Sequence, residues 1–417
     1  MLLKNAAYIG SDDRLHHQDI RIEDGRIAQI SQVLQPSTHE QSIDCTSLII
    51  IPALGDSHVH TPDTMLSGLF HGMEMSQWCN ETQQGQMQQR LFDYLDESVH
   101  REAFETFVLY SYLRYMRQGI GFIVETGFAD YSSEVLSRCA EICGLKAIID
   151  WYDQLPPAST NSRIAGSIHL PEEEDLTATL IKEVCKLRKQ DPRVSVMTHC
   201  LENTWRRDEI INKFGMSTVQ LMHQYELLDE RTLLFHCIQL TDVDRDLIKN
   251  SGATAVCCPV SSMRARESIM DLDAMINLGI PLVIGTDFLD HDIWDSMRFL
   301  HTYACSEFPH MQAPHSQVFA MATRNAARIS GTTGYSGTIM EGAPADLCFL
   351  DHHHTLDPLV QTSWYSNVLY QVMQQGNSSL VRHLMVNGRF IVQNYRCTTV
   401  DEDALVKAYR RALHSLF

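Results

Sequence analysis

The sequence predicts an α/β fold: a (β/α)8 TIM barrel over residues 52–335, with residues 1–51 and 336–417 forming a small composite β-rich domain beside it. Three observations predict it. The middle of the chain alternates short apolar runs with longer stretches of helical period. Both ends instead show short strands broken by hairpin signals. Ionisable side chains with metal-binding chemistry stand at the carboxyl ends of several of the apolar runs, and a barrel gathers those ends around one mouth.

The N-terminal strands are Leu2-Leu3, Asp19-Ile20-Arg21-Ile22 and Arg26-Ile27-Ala28-Gln29-Ile30, the last two separated by Asp24-Gly25, a tight-turn signal. In the middle, strands are expected at Phe122-Ile123-Val124, Ala147-Ile148-Ile149, Val194-Ser195-Val196-Met197, Thr232-Leu233-Leu234-Phe235, Ala253-Thr254-Ala255-Val256 and Pro281-Leu282-Val283-Ile284. Helices are expected at Glu102 to Arg117, Leu176 to Arg188 and Ala265 to Leu278. This alternation implies parallel βαβ units, and at this length a barrel ranks ahead of a doubly wound sheet. Near the C-terminus, Asp346-Leu347-Cys348-Phe349-Leu350 and His383-Leu384-Met385-Val386 read as strands, with Asn387-Gly388 as a turn before Phe390-Ile391-Val392. No internal repeat or low-complexity linker interrupts the pattern.

Composition narrows the function. The 417 residues are 44% apolar and 20% charged, enough to build a large core without disulfide staples. With 52 acidic and 33 basic residues the net charge is −19. That sign disfavours nucleic acid and anionic membrane surfaces as partners. The longest apolar stretch, Leu48 to Leu54, is too short to span a bilayer, and Met1 to Asn5 lacks the apolar run of a signal peptide. Twelve cysteines without framework spacing suggest reduced thiols and a cytoplasmic setting.

The chemistry concentrates at strand ends. In His58-Val59-His60, residues i and i+2 of one strand point the same way, so the two imidazoles can share a metal. With 20 histidines such a pair arises easily by chance; His352-His353-His354 supplies another, read as a surface loop. His199 ends the strand that starts at Val194, with Glu202 three residues on, so the chain must bend after His199 for both to reach one pocket. His236 follows Thr232 to Phe235, and Asp287 follows Pro281 to Ile284. Each has a bland alternative, a structural histidine or a capping aspartate. Their joint placement outweighs it, because three histidines and a carboxylate crowded in one cleft without an ion would be left unpartnered. Such donors suit zinc or a similar divalent ion.

At this point the chain resembles the amidohydrolase superfamily, in its aminohydrolase and chlorohydrolase branch acting on purines, pterins, nucleosides and s-triazines. The resemblance is carried by Asp24-Gly25-Arg26-Ile27, Ile51 to His60, His199 with Glu202, His236-Cys237, Cys258-Pro259-Val260-Ser261, Gly285-Thr286-Asp287, Met321 to Arg328, Gly342 to Leu347 and Val386-Asn387-Gly388. It implies that the terminal segments pair into a small β-sandwich. It also implies one divalent metal, zinc first with iron or manganese as alternatives, held by His58, His60, His199 and Asp287. Members with two metals bridge them by a carbamylated lysine on a middle strand; here Lys146 precedes its strand, so one metal is expected. Glu202 is implied as proton shuttle and His236 as a group facing substrate, with Asp287 serving catalysis as well as ligation. A homo-oligomer, a dimer by the same resemblance, is implied too.

The implied reaction is hydrolytic release of ammonia from a small-molecule amino-heterocycle. A divalent ion brings the pKa of water from about 15.7 toward about 7, and a carboxylate moves protons to the ring nitrogen and the departing amine. Trp78 and His169 are implied to line the substrate pocket. Departures from the family leave the substrate open: Met87 stands where nucleoside deaminases have a ribose-binding glutamate, Asp63 where guanine deaminases have glutamine, and Ser262 where asparagine is usual. Asp63 and Glu125 favour an amino-rich or cationic ring. Two alternatives remain, a hydrolase of the same fold with another leaving group (an s-triazine chlorohydrolase or a cyclic amidohydrolase) and a non-catalytic scaffold relative. The H-E-x-x-H and G-x-x-x-x-G-K-[ST] signatures are absent.

Overall fold

The computed structural model describes residues 1–70, 72–78, 82–127, 131–157, 161–288, 291–308 and 311–416. The chain opens with β1 (Leu2–Ile9), β2 (Leu15–Glu23), β3 (Arg26–Ser31), β4 (Ser42–Asp44) and β5 (Leu48–Pro52). Asp24 and Gly25 take φ of 48° and 76° at the β2–β3 turn, the two left-handed residues that a tight hairpin between twisted strands requires.

Eight strands follow: β6 (Leu54–Val59), β7 (Ile120–Glu125), β8 (Lys146–Asp150), β9 (Ile164–His169), β10 (Ser195–Cys200), β11 (Thr232–His236), β12 (Thr254–Cys257) and β13 (Leu282–Ile284). They lie side by side in sequence order, each parallel to the next. The barrel closes where Val59 bridges Asp287. There the Asp287 amide donates to the His58 carbonyl at 2.7 Å and the His60 amide to the Asp287 carbonyl at 3.0 Å. Gly285 permits this seam, because a Cβ there would meet the His58 Cβ at 2.7 Å. Phe122, Val124, Ile148, Met197, Leu233, Phe235, Val256 and Val283 fill the interior, so the barrel is a packed core.

The chain then returns through β14 (Leu347–Asp351), β15 (Val381–Val386), β16 (Arg389–Gln393) and β17 (Arg396–Cys397). β14 pairs with β5, so both termini join one nine-stranded sheet of order β17-β16-β15-β14-β5-β1-β2-β3, with β4 also on β1. The sheet folds back so that its β3 edge meets the segment leading into β14. Ile27 of β3 donates to the Ala343 carbonyl at 2.9 Å and Ala345 donates back to Gly25 at 2.9 Å. The fold-over encloses a second core of Leu3, Ile20, Ile22, Ile50, Leu347, Phe349 and Met385, giving sandwich packing from a continuous sheet.

Three features differ from the sequence reading. β9 is not among the strands read from apolar runs, because Ala165, Gly166 and Ser167 break its run, and the resemblance marks it only through His169 at its end. Of the helix expected from Ala265 to Leu278 only Leu272–Asn277 forms, and a separate short helix, Pro259–Arg264, ends just before that stretch. Arg266, at φ 61°, turns the chain after Pro259–Arg264, and Asp271 starts Leu272–Asn277 by accepting from the Ala274 amide at 3.0 Å. The C-terminal region also holds helices at Val368–Gln375 and Glu402–Leu416. The second leaves the sheet and packs on the barrel helix Arg101–Arg117, with Tyr409 stacked on Tyr110 at 3.8 Å. Among the described residues no helix is long and apolar enough to cross a membrane.

Candidate active site

Barrel geometry brings the expected residues together at the carboxyl ends of the strands. His58 lies on β6 and His60 just beyond it, His199 near the end of β10, His236 at the end of β11, and Asp287 after β13. The bend required after His199 occurs at Leu201, whose φ is 49°. His236, Cys237 and Asp287 also take left-handed φ values of 68°, 54° and 66°. Such backbone is costly for residues other than glycine and collects at functional sites.

The donor atoms of His58, His60, His199 and Asp287 all lie within 4.8 Å of one another. The Nε2 atom of His60 stands 3.2 Å from that of His58 and 3.3 Å from that of His199. Asp287 Oδ1 is 3.1 Å from His58 Nε2 and 3.4 Å from His60 Nε2. Donors ~2.0–2.1 Å from one ion at tetrahedral corners stand roughly 3.3–3.4 Å apart, so three imidazoles and a carboxylate fit a single zinc-sized cation. Burial holds the His58 imidazole well below its usual range, and burial also keeps His199 low despite Glu172. Both therefore offer a free lone pair. Burial pushes the Asp287 carboxyl up, but the surrounding histidines, His236 foremost, outweigh it and hold Asp287 ionised.

Groups that the sequence reading missed orient these donors. Ser261 donates a hydrogen bond to Asp287 Oδ2, leaving Oδ1 toward the histidines. His58 Nδ1 shares a hydrogen bond of 3.3 Å with the Thr126 hydroxyl, and Phe235 stacks on the His58 ring at 3.7 Å. Glu172 Oε1 lies 2.7 Å from His199 Nδ1. Buried Asp56 accepts from the Thr286 amide at 2.9 Å and hydroxyl at 2.6 Å, tying β6 to the loop that carries Asp287. Ser261 and Asp56 stand inside motifs noted in the sequence, yet nothing in their type announced these contacts.

Beside the donor set stand Glu202 and His236, with Glu202 Oε1 3.7 Å from His236 Nε2. Buried Arg206 holds the other oxygen, Oε2, at 2.8 Å. The same guanidinium reaches Glu172 at 3.2 Å and Glu174 at 2.7 Å. Arg206 had no sequence signal beyond lying four residues after Glu202. Glu173 accepts from the Leu201 amide at 2.9 Å, which pins the turn that aims Glu202 inward.

A cavity of about 610 Å³ opens over these groups, within the range of small-molecule sites. Asp63, Trp78 and His169 line it, as do Glu202 and His236. Trp78 meets Phe288 edge-on at 4.9 Å. His169 Nδ1 pairs with Asp150 at 2.8 Å, which turns Nε2 away from that carboxylate. Glu125 requires a correction. It does not line the cavity; it is buried behind it, accepting from the Thr61 amide at 2.9 Å, the Thr61 hydroxyl and the Tyr112 hydroxyl at 3.0 Å. Its own structural partners occupy it, so it does not act on substrate beside Asp63. His352, His353 and His354 are exposed and join no donor cluster among the described residues. Lys146 lies at the opposite barrel end, paired with Asp346 at 2.7 Å.

The amidohydrolase family model matches residues 49–390. A 5-methylthioadenosine/S-adenosylhomocysteine deaminase of Pyrococcus furiosus is 24% identical over 434 residues, covering 99% of this chain and 100% of that protein. Among solved structures, a zinc-bound adenosine deaminase from Xanthomonas campestris superposes with a TM-score of 0.85 at 17% identity, over 100% of this chain and 98% of that one. An atrazine chlorohydrolase mutant from Arthrobacter aurescens, complexed with zinc and atraton, gives 0.84 at 16% identity, with 99% of each chain covered.

Proposed function

The chain belongs to the amidohydrolase family, and we infer that it is a hydrolytic deaminase of an amino-substituted nitrogen heterocycle, with zinc as its resident ion. It is a hydrolase of C–N bonds other than peptide bonds. The observation that carries this reading is the convergence of three imidazole nitrogens and Asp287 Oδ1 on one point, with Glu202 and His236 beside it on the wall of one cavity. His58, His60, His199 and Asp287 would hold the ion. When bound, a divalent cation activates water for attack on an electrophilic carbon.

The remaining chemistry belongs to the side chains. Water adds to the ring carbon that bears the amino group. Glu202 takes the proton that water loses and delivers it to the neighbouring ring nitrogen. Arg206 keeps one Glu202 oxygen engaged, leaving Oε1 to face His236 and the substrate. His236 stabilises charge developing on the attacked centre. Glu202 then carries the proton of the new hydroxyl group to the amine, the C–N bond breaks, and the products are the oxo-heterocycle and ammonia.

Replacement of Glu202 separates catalysis from ion binding. Glu202→Gln is expected to fold, to keep its metal and to lose roughly 100-fold or more in turnover, the scale of a lost general acid–base group. His199→Ala is expected to lose metal and activity together. Elemental analysis and an ammonia-release assay over amino-purines, pterins and triazines read both outcomes. Near-normal turnover in Glu202→Gln would reassign the proton shuttle, with His236 next. Chloride without ammonia from halogenated triazines would replace deamination by dehalogenation.

A further inference from the structure

One carboxylate in the cavity has no task in this mechanism. Asp63 is 4% exposed and lines the cavity, and its Oδ1 atom has no hydrogen-bond partner. His60 Nδ1 stands 4.0 Å from the other oxygen, and Gln88 of the same cavity wall hydrogen-bonds the carboxyl group. A buried polar atom without a partner is costly, and it persists where something else supplies the partner. Around it the wall is aromatic: Trp78 and Phe288 present an edge-to-face pair. Such faces favour flat rings and cations.

The charge of the cavity points the same way. Its rim carries exposed Asp153, Asp175 and Glu183. Arg206 is the one lysine or arginine among the described lining residues, and Glu202, Glu172 and Glu174 engage its guanidinium. The residues outside the described set include no lysine or arginine. Among the described lining residues no free lysine or arginine is left to pair with a carboxylate or a phosphate.

We propose that Asp63 binds the edge of the substrate ring through its N–H donors, and that the substrate is an amino-rich neutral or cationic heterocycle with no anionic substituent. This rests on the deaminase reading and narrows its substrate class. In 2,6-diaminopurine an exocyclic amino group stands on each side of ring nitrogen N1, and with N1 protonated an amino N–H and the N1–H offer two parallel donors to a carboxylate. Adenine has one such amino group and xanthine none. A site built for such donors rejects an analogue that lacks them, because the buried acceptor is left unpaired.

The test uses the full-length, metal-loaded protein, with calorimetric binding and ammonia release measured side by side. The first series keeps one ring and varies its donors: 2,6-diaminopurine, adenine and xanthine. The second pair adds a zwitterionic amino-acid group, a carboxylate beside an ammonium: 5′-methylthioadenosine against S-adenosylhomocysteine. We expect 2,6-diaminopurine to bind at least 10-fold tighter than adenine and xanthine, and S-adenosylhomocysteine at least 10-fold weaker than its uncharged counterpart. In Asp63→Asn the Kd and KM for the donor-rich ring should rise at least 10-fold, with kcat changed less than threefold and metal content unchanged. Binding within twofold of wild type in that variant, equal binding of S-adenosylhomocysteine, or no binding of 2,6-diaminopurine would each overturn the proposal. The wild-type ligand series decides even if the variant fails to fold. Binding preferences that hold while no amino-heterocycle releases ammonia would sink the deaminase reading and leave the Asp63 assignment standing.

Discussion

Asp287 divides its two oxygens between two tasks. Oδ1 faces His58 and His60, and Oδ2 accepts from Ser261. Ser261→Ala removes that restraint without touching a donor atom. Outer partners of this kind are typically worth 10- to 100-fold in metal affinity or activity, so a loss of that size is expected when Ser261→Ala competes with a chelator for the ion. An affinity equal to wild type would show that the backbone at φ 66° alone orients the carboxylate. The difference between Asp287 and Ser261 also explains how far the site was legible. His58, His60, His199 and Asp287 declare their chemistry by residue type, and the strand pattern placed them at one barrel mouth. Ser261, Thr126, Glu172 and Arg206 act only through a neighbour brought close by the fold. Glu125 shows the converse: an acidic residue at a strand end looked like a substrate group, and its hydrogen bonds to Thr61 and Tyr112 turned it inward.

Elements were readable where one side of the physics dominated. β7, β8, β11, β12 and β13 are buried along their whole length, so their apolar runs stood out. β9 carries half-buried Ala165 and Gly166, and its place comes from pairing with β8 and β10, which no local window contains. The stretch from Ala265 to Leu278 has helical period, but the left-handed turn at Arg266 keeps its first part out of a helix, which starts only at the Asp271 cap. On β15 a packing detail carries a pH prediction. Burial, with the Arg382 charge beside it, pulls the His383 imidazole down to about 4. Its Nδ1 accepts from the Asn394 amide at 3.2 Å, which needs the neutral ring. In the unfolded chain a histidine titrates near ~6.5. The folded group is the weaker base, so its stabilisation is complete above about pH 6.5 and is lost as pH falls toward 4. Urea denaturation of wild type and His383→Gln across that window should show the gap between them narrowing as pH falls. A gap that stays constant would mean the ring is not held neutral.

At the scale of the whole molecule, Lys146 and Asp346 bind the barrel to the terminal sheet. Both are buried, Lys146 Nζ is 2.7 Å from Asp346 Oδ2 and 3.0 Å from the Gly334 carbonyl, and Asp346 Oδ1 accepts from the Asn387 amide at 2.8 Å. Lys146→Met leaves a buried carboxylate unpaired, and a loss of about 3–5 kcal/mol in unfolding free energy is expected. Adding Asp346→Asn should recover most of it; a double variant no more stable than the single one would show that the packing of the lysine stem, not the charge pair, is what matters. The pairing of β5 with β14 has a further consequence, and it concerns time. Pro52 and its partner Leu347 are separated by the whole barrel, so a ribosome adding ~5–20 residues per second needs roughly 15–60 s to deliver the second strand after the first. Through that interval β5 has a hydrophobic edge and no neighbour on it. Each new chain therefore spends its first moments as a client for whatever shields nascent polypeptides, and the small sheet can close only after the whole barrel has been synthesised.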